Sequence, residues 1–148
     1  MARNSVQVRA SSDDVFDVLD DAYAYPRWVV GTRRVRSVDT NWPAPGSSFH
    51  HAVGTSIGEL HDSTSVVARD RPKRLDLEVR ARPTGVARVR ISVAARCASS
   101  TEVTLDETPT EGLISRLPRH LTDPLLTFRN ALSLRRFRRL VEARATAH

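Results

Sequence analysis

Two adjacent histidines, His50 and His51, close the stretch NWPAPGSSFHH at residues 41–51. An imidazole can hydrogen-bond a ligand, pass a proton or ligate a metal. If the residues after the Pro-Gly turn form a strand, adjacent side chains point to opposite faces, so the two rings cannot easily share one metal ion. Phe49 and Val53 share the parity of His51, which predicts that His51 faces inward and His50 faces solvent.

Two interpretations of His51 stay open. The ring either lines a ligand cavity, as a hydrogen-bond partner or an acid or base, or is a core histidine satisfied by the backbone. A strand register shifted by one residue would instead turn Ser48, His50 and Ala52 inward. The other three of the five histidines form no ligand spacing with the pair, and we expect no metal site.

A carboxylate, an amide and a guanidinium are the further candidates for chemistry. Val103, Leu105 and Glu107 share one strand parity, and a buried carboxylate is costly unless paired, so Glu107 is either a site residue or an edge residue reaching water. Asn130 falls inside an apolar helical stripe and needs partners, either a ligand or a strand residue or water. Arg129, at the edge of that stripe, is either a cavity cation or a solvated surface side chain.

The first third of the chain predicts a strand followed by two short helical segments. Residues 5–10 alternate apolar and polar side chains, which is typical of a half-buried strand. Ser11 with Asp14 resembles a helix-capping box, and AYPRWVVG predicts a turn or short helix that ends at Gly31. The apolar positions of the capped helix are Val15, Phe16, Val18, Leu19 and Ala22.

Five further runs have the alternation of strands and are separated by Pro and Gly turns. In the clearest run, Leu75, Leu77 and Val79 face one way and charged residues face the other. One apolar and one polar face predict an antiparallel sheet with one solvated side. The five runs are SSFHHAVG, ELHDSTSVVARD, KRLDLEVRAR, VARVRISVAAR and TEVTLDET, after a weaker strand around Val35 and Val38.

The last third predicts one long helix. Asp123 is placed as its N-cap and Pro124 as its first residue, and the pattern runs to about Ala143. A helix that follows an antiparallel sheet and covers its apolar face gives a two-layer α+β domain. The apolar helix face contains Leu126, Leu134, Phe137, Leu140 and Val141.

The segment VRASSDDVFDVLDDAYAYPRWV, residues 8–29, resembles the N-terminal signature of the START-like, helix-grip superfamily (SRPBCC). That superfamily includes polyketide cyclases and dehydrases, aromatases and lipid-transfer domains, and NWPAPGSSF resembles the turn that enters its third strand. The resemblance implies a single domain over residues 1–148. It also implies a curved antiparallel sheet of about six to seven strands wrapped on a long C-terminal helix, with two short helices after strand 1.

The resemblance further implies a cavity between sheet and helix that holds a hydrophobic small molecule. If the protein were a cyclase, His51 and Glu107 would be the catalytic pair. The ligand-binding candidates are Trp28, Phe49, His51, Val79, Ile91, Leu105, Glu107, Arg129, Asn130 and Phe137.

Three functions are compatible with these features. The first is a non-catalytic carrier or sensor of a lipid- or polyketide-like molecule, and the second is a polyketide cyclase or aromatase. The third is an RNA- or ribosome-binding protein that uses the basic LRRFRR face of the last helix, since the net charge is +6. With only 5% aromatic residues, the composition does not favour a nucleic-acid partner.

Composition also bounds location and partners. The single cysteine, Cys97, forms no internal disulfide, which is typical of a reducing cytoplasm. The N-terminus lacks a signal-peptide core, and no run approaches the ~20 apolar residues of a membrane span. We therefore expect a cytoplasmic protein with a hydrophobic small-molecule ligand, no cofactor and no membrane span, as a monomer or homodimer.

Overall fold

The computed structural model describes residues 2–55, 58–81 and 85–147. The side chain of Val53, which was used above to argue the strand register, lies outside the described part. The elements in chain order are β1 (Ala2–Val8), α1 (Ser12–Leu19), a 3-10 helix (Ala22–Ala24), α2 (Tyr25–Trp28), β2 (Thr32–Val38), β3 (Ser48–Thr55), β4 (Gly58–Asp70), β5 (Arg74–Ala81), β6 (Gly85–Cys97), β7 (Ser100–Glu111), α3 (Leu113–Arg116) and α4 (Arg119–Thr146).

All seven strands form one antiparallel sheet in the order β1-β7-β6-β5-β4-β3-β2. The sheet alternates as predicted: Leu75, Leu77 and Ile91 are buried, whereas the intervening charged residues pair on the outer face. One such pair joins Arg90 Nε to Asp76 Oδ1 at 3.1 Å. The predicted α+β class, with a long C-terminal helix on an antiparallel sheet, is confirmed.

The first strand begins earlier than predicted. β1 covers Ala2–Val8 rather than residues 5–10, because it pairs along its whole length with β7, from Ala2 opposite Glu107 to Val8 opposite Thr101. Alternation could not reveal the first three residues, since polar side chains occupy most of them.

The capping prediction for α1 is confirmed. The Ser11 hydroxyl accepts the backbone N–H of Asp14 at 3.1 Å, which satisfies one of the helix's first free donors. The helix then buries its predicted apolar positions, including Val15 and Phe16. The chain leaves α2 through Gly31, whose φ of +100° is a conformation that favours glycine.

The long helix α4 begins four residues before the predicted cap. The carbonyl of Pro118 accepts the backbone N–H groups of Leu121 and Thr122 at 3.0 and 3.3 Å, so a turn already exists before Asp123. Pro124 therefore lies inside the helix, where it lacks one hydrogen bond. The prediction was wrong here because Pro118 and Pro124 each fit a helix start, and local pattern cannot choose between them.

The C-terminal half of α4 packs onto the core. Leu134, Phe137 and Val141 are buried, and the rings of Phe137 and Trp28 lie 4.9 Å apart. Leu126, predicted on the same face, is only half-buried. In the described part of the chain, no helix has both the length and the apolar composition that crossing a membrane requires.

Phe137→Ala should lower the free energy of unfolding by about 3–5 kcal/mol, because it removes a fully buried ring and leaves a cavity. Phe128→Ala is the matched control on the same helix, since Phe128 is 68% exposed. It should change stability by no more than about 0.5 kcal/mol. Urea unfolding measures both. Equal losses in the two variants would contradict the packing of α4 on the sheet.

Candidate functional site

A cavity of about 320 Å³ lies between the inner face of the sheet and the first half of α4. Its wall is mostly apolar. The sheet contributes Leu77, Val79, Val86, Ala87, Val89, Ile91 and Leu105, and the helices and loops contribute Tyr25, Trp28, Val29, Val30, Ile114 and Leu126. The polar side chains on the wall are His51, Thr64, Glu107, Arg129, Asn130, Ser133 and Thr32.

His51 reaches the cavity from β3, as the strand parity predicts. The ring is buried, with 3% exposure, whereas His50 is half-exposed on the other face of the strand. Its Nε2 lies 3.2 Å from the hydroxyl oxygen of Thr64, on the neighbouring strand β4. Its Nδ1 has no hydrogen-bond partner among the described residues.

Burial lowers the pKa of His51, because a partly desolvated imidazole is more stable neutral. The nearby Asp62 carboxylate and the backbone of Ser63 oppose that effect, and the positive charge of Arg36 adds to it. The cavity wall therefore presents a neutral imidazole near physiological pH, which has one nitrogen that donates and one that accepts.

A second polar group joins β7 to α4. The Asn130 amide donates to Glu107 Oε1 at 2.9 Å, and Arg129 Nη1 lies 3.6 Å from the same oxygen. Glu107 is only 7% exposed, so the amide and the guanidinium supply the partners that a buried carboxylate requires. Asn130 therefore has the strand partner that was one of its two predicted alternatives.

The residue Val30, just after α2, is held by α4 at both of its backbone groups. Its N–H donates to the Ser133 hydroxyl at 3.1 Å, and its carbonyl accepts from Arg129 Nε at 3.1 Å. These bonds fix the loop that forms one wall of the cavity. The wall also includes Gly85 of β6, where φ is +122° and an added Cβ would collide with the Glu111 backbone.

Eight of the ten predicted ligand-binding residues line this cavity, and Phe49 and Phe137 do not. Both phenylalanines are fully buried in the adjacent core, where Phe49 packs against Tyr25 at 4.9 Å. Whether the eight contact a ligand stays a prediction. Trp28 also has a buried Nε1 without a partner among the described residues.

Sequence reasoning missed three polar members of the wall, Thr32, Thr64 and Ser133. Thr64 lies on β4 and contacts His51 because the two strands pair with Phe49 opposite Thr64. Its position on the inward side of β4 could have been predicted from the alternation of that strand. Ser133 lies on α4, and its loop partner Val30 is about 100 residues away in sequence. Trp42, in the turn before β3, is tied to the end of α1, because its Nε1 donates to the Asp20 carbonyl at 2.8 Å.

The arrangement offers hydrogen-bonding groups on a mostly apolar wall. His51 with Thr64 forms one polar spot, and Glu107 with Asn130 and Arg129 forms another. Within the described ranges, no group of three or more His, Cys, Asp or Glu side chains is placed to hold a metal ion. The side chains on the wall offer apolar contact and hydrogen bonding, and His51 and Glu107 carry groups of the kind that transfer protons.

Several solved structures have an architecture similar to that of this chain. No protein-family model and no curated protein sequence matches the chain. A START superfamily protein from Mycobacterium smegmatis superposes with a TM-score of 0.69 at 15% identity, over 99% of this chain and 97% of that one. A conserved protein from Geobacillus kaustophilus gives a TM-score of 0.75 at 12% identity, over 94% of this chain and 93% of that one.

A third similar structure is the di-domain ARO/CYC StfQ from the steffimycin biosynthetic pathway. Its TM-score is 0.69 at 14% identity, and the match covers 97% of this chain and 51% of StfQ. At such identities the likeness concerns architecture. The seven-stranded sheet, the long α4 and these neighbours together show that the chain has the START-like, helix-grip fold.

Proposed function

We propose that this protein binds a hydrophobic small molecule, lipid- or polyketide-like, in the cavity between sheet and α4. The observation that carries the proposal is the apolar wall of the cavity of about 320 Å³ with its few polar spots. Ligand sites of proteins have this composition, in which apolar side chains bury the ligand and a few polar groups orient it. The volume is at the lower end of the usual range of roughly 300–1,000 Å³.

The names of the structural neighbours support the same class of ligand. One is called a START superfamily protein and another an aromatase/cyclase of a biosynthetic pathway. Two polar spots on an apolar wall suit a molecule with an apolar body and one or two carbonyl or hydroxyl groups. A plain hydrocarbon would form no hydrogen bond with His51 or Asn130.

A carrier or sensor role fits the site better than catalysis. Oxygen Oε1 of Glu107 already accepts from Asn130 and lies close to Arg129. An oxygen engaged in this way has fewer lone pairs left to accept a proton from a ligand. The pairing therefore favours a positioning role for Glu107 over that of a general base.

Ala87→Phe should block ligand binding. Ala87 lines the cavity from β6, so a benzyl group there occupies the ligand's space. Ala94→Phe is the matched control, because Ala94 is exposed on the same strand. Organic extraction of the purified proteins followed by mass spectrometry should release an apolar molecule from wild type and from Ala94→Phe, with about tenfold less from Ala87→Phe. Equal recovery from all three, with folding intact, would contradict binding in this cavity.

One observation favours an enzyme as the second candidate. His51 is buried at the cavity with a lowered pKa, and its Nδ1 has no side-chain hydrogen bond among the described residues; a neutral imidazole is a competent general base. A polyketide cyclase or aromatase would need such a base beside a bent poly-β-ketone. Turnover of a poly-β-ketone mimic that is lost in His51→Ala and kept in His50→Ala would support this candidate over the carrier.

His51 should titrate below its usual value of about 6.5, whereas His50 serves as the more exposed reference. Because the folded pKa is lowered, the unfolded chain binds the proton first as pH falls. The free energy of unfolding should thus be fully retained above about pH 6.5 and decrease below it. NMR titration of both rings, with urea unfolding of wild type and His51→Gln between about pH 7.5 and 5.5, measures this. A normal pKa for His51 and a lowered one for His50 would contradict the strand register.

A further inference from the structure

A row of large apolar side chains is exposed where α3 leads into α4. It accounts for five of the seven large hydrophobic side chains that are exposed in the described part of the chain. We name this row the apolar ridge. Its members, with their exposed fractions, are Leu113 at 58%, Leu117 at 40%, Leu121 at 55%, Leu125 at 71% and Phe128 at 68%.

On α4 the ridge runs along one side of the helix. Leu121, Leu125 and Phe128 are four and three residues apart, which places them on a single face. The buried residues Asn130 and Phe137 lie on the opposite face. The first half of α4 therefore has two apolar faces, of which one borders the cavity and the core and the other faces outward.

Positive charge surrounds the ridge. Residues 113–139 contain seven arginines and one aspartate, a net charge of +6 by sequence, and one of the seven, Arg129, lies on the cavity side beside Glu107. Arg116 and Arg119 are exposed beside the first leucines, and Arg135 and Arg139 are exposed farther along the outer face of α4. Exposed leucine and phenylalanine bordered by arginine is the composition of a segment that lies in a lipid–water interface.

We propose that the apolar ridge and its arginines dock the protein on an anionic lipid surface. The leucines and Phe128 enter the boundary between headgroups and acyl chains, while the arginines contact lipid phosphates and carboxylates. An arginine guanidinium can bind a phosphate through two parallel hydrogen bonds. Such docking is peripheral and requires no spanning helix.

Charge and composition argue against two other partners for this surface, a second copy of the chain and single-stranded RNA. A second copy of the chain would bring the +6 segment of each protomer against that of the other, and like charges at a shared interface are unfavourable. Single-stranded RNA is held by bases stacked on aromatic rings, and the ridge contains only one aromatic residue, Phe128. Apolar insertion with surrounding cations fits a lipid surface better than either.

The ridge adjoins the wall of the cavity. Ile114 and Leu126, neighbours of ridge residues in sequence, line the cavity. Docking would therefore bring this side of the cavity to the lipid surface, so that a hydrophobic ligand could exchange without crossing bulk water. This link to ligand exchange rests on the proposed function, whereas docking itself depends only on the outer face of α4.

Vesicle co-sedimentation tests the docking. The full chain is mixed with vesicles of phosphatidylcholine alone or with about one third phosphatidylserine, at about 0.1 M and 0.5 M salt. We expect binding to the phosphatidylserine vesicles at the lower salt and little to the neutral ones. Leu125→Ser with Phe128→Ser should lower the partition coefficient by about tenfold or more. Arg135→Gln with Arg139→Gln should lower it by about tenfold.

Matched controls separate the ridge from general surface properties. Tyr23→Ser removes an exposed ring elsewhere, since Tyr23 is 66% exposed. Arg88→Gln with Arg90→Gln also removes two positive charges, but from the outer face of the sheet. Both controls should bind like wild type, and thermal unfolding verifies that every variant is folded.

Three results would overturn the proposal. The first is no binding to anionic vesicles at low salt, and the second is equal loss in the ridge variants and their controls. The third is a concentration-dependent dimer, or a complex with RNA, that the Leu125→Ser/Phe128→Ser variant abolishes while vesicle binding is unaffected. Because the ridge lies outside the cavity, Ala87→Phe should still bind vesicles. Vesicle binding without any extractable ligand would thus contradict the proposed function alone.

Discussion

Helix α4 is held by apolar packing in its C-terminal half and by hydrogen bonds in its first half. The cavity lies under the hydrogen-bonded half. In the C-terminal half, Phe137 meets Trp28 and the helix lies directly on the core. One to two turns earlier, the inward positions are Ser133 and Asn130, which cannot fill apolar space. There the helix is held by hydrogen bonds instead, from Asn130 to Glu107 and between Ser133 and Val30. Directional bonds at these points keep the helix in place without filling the volume below it.

This division explains why a well-packed protein retains an apolar cavity. Dense packing is the rule in protein interiors, and an unfilled apolar volume loses contacts that would stabilise the fold. At two inward helix positions the side chains are polar and short, and they share the cavity wall with Leu105 and Ile91. Arg129 lies 3.6 Å from the Glu107 oxygen that accepts from Asn130, and its Nε donates to the Val30 carbonyl. Arg129 therefore connects the polar cluster of Glu107 and Asn130 to the loop at Val30, which forms part of the cavity wall.

Much of this architecture could be predicted from the sequence. Period-two alternation located β5 to β7, the Ser11 cap located α1, and strand parity placed His51 inward and His50 outward. These features are local, because each is set by residues a few positions apart. The predicted start of α4 was wrong for the same reason. Proline is common at helix starts, and two prolines, Pro118 and Pro124, fit that local preference. The course of the chain after β7 decides between them.

Partners from distant parts of the chain could not be predicted. The contact of His51 with Thr64 depends on the register of β3 against β4, and the Ser133–Val30 bond joins segments about 100 residues apart. The absence of Phe49 and Phe137 from the cavity wall is a third case. Parity correctly turned both rings inward, but inward includes core as well as cavity, and the boundary between them is set by three-dimensional packing.

The polar spots also bear on specificity. An apolar wall alone discriminates weakly between ligands, because one methylene more or less changes binding by only about 1–3 kcal/mol. A buried group that must hydrogen-bond the ligand discriminates more strongly, since a ligand without the matching atom leaves that group unpaired. Among the described residues, the Nδ1 of the buried His51 ring has no hydrogen-bond partner of good geometry, and Thr64 lies 3.2 Å from the other nitrogen. If the proposed ligand reaches this nitrogen, its selection depends on a polar atom placed against His51 more than on the length of its apolar body.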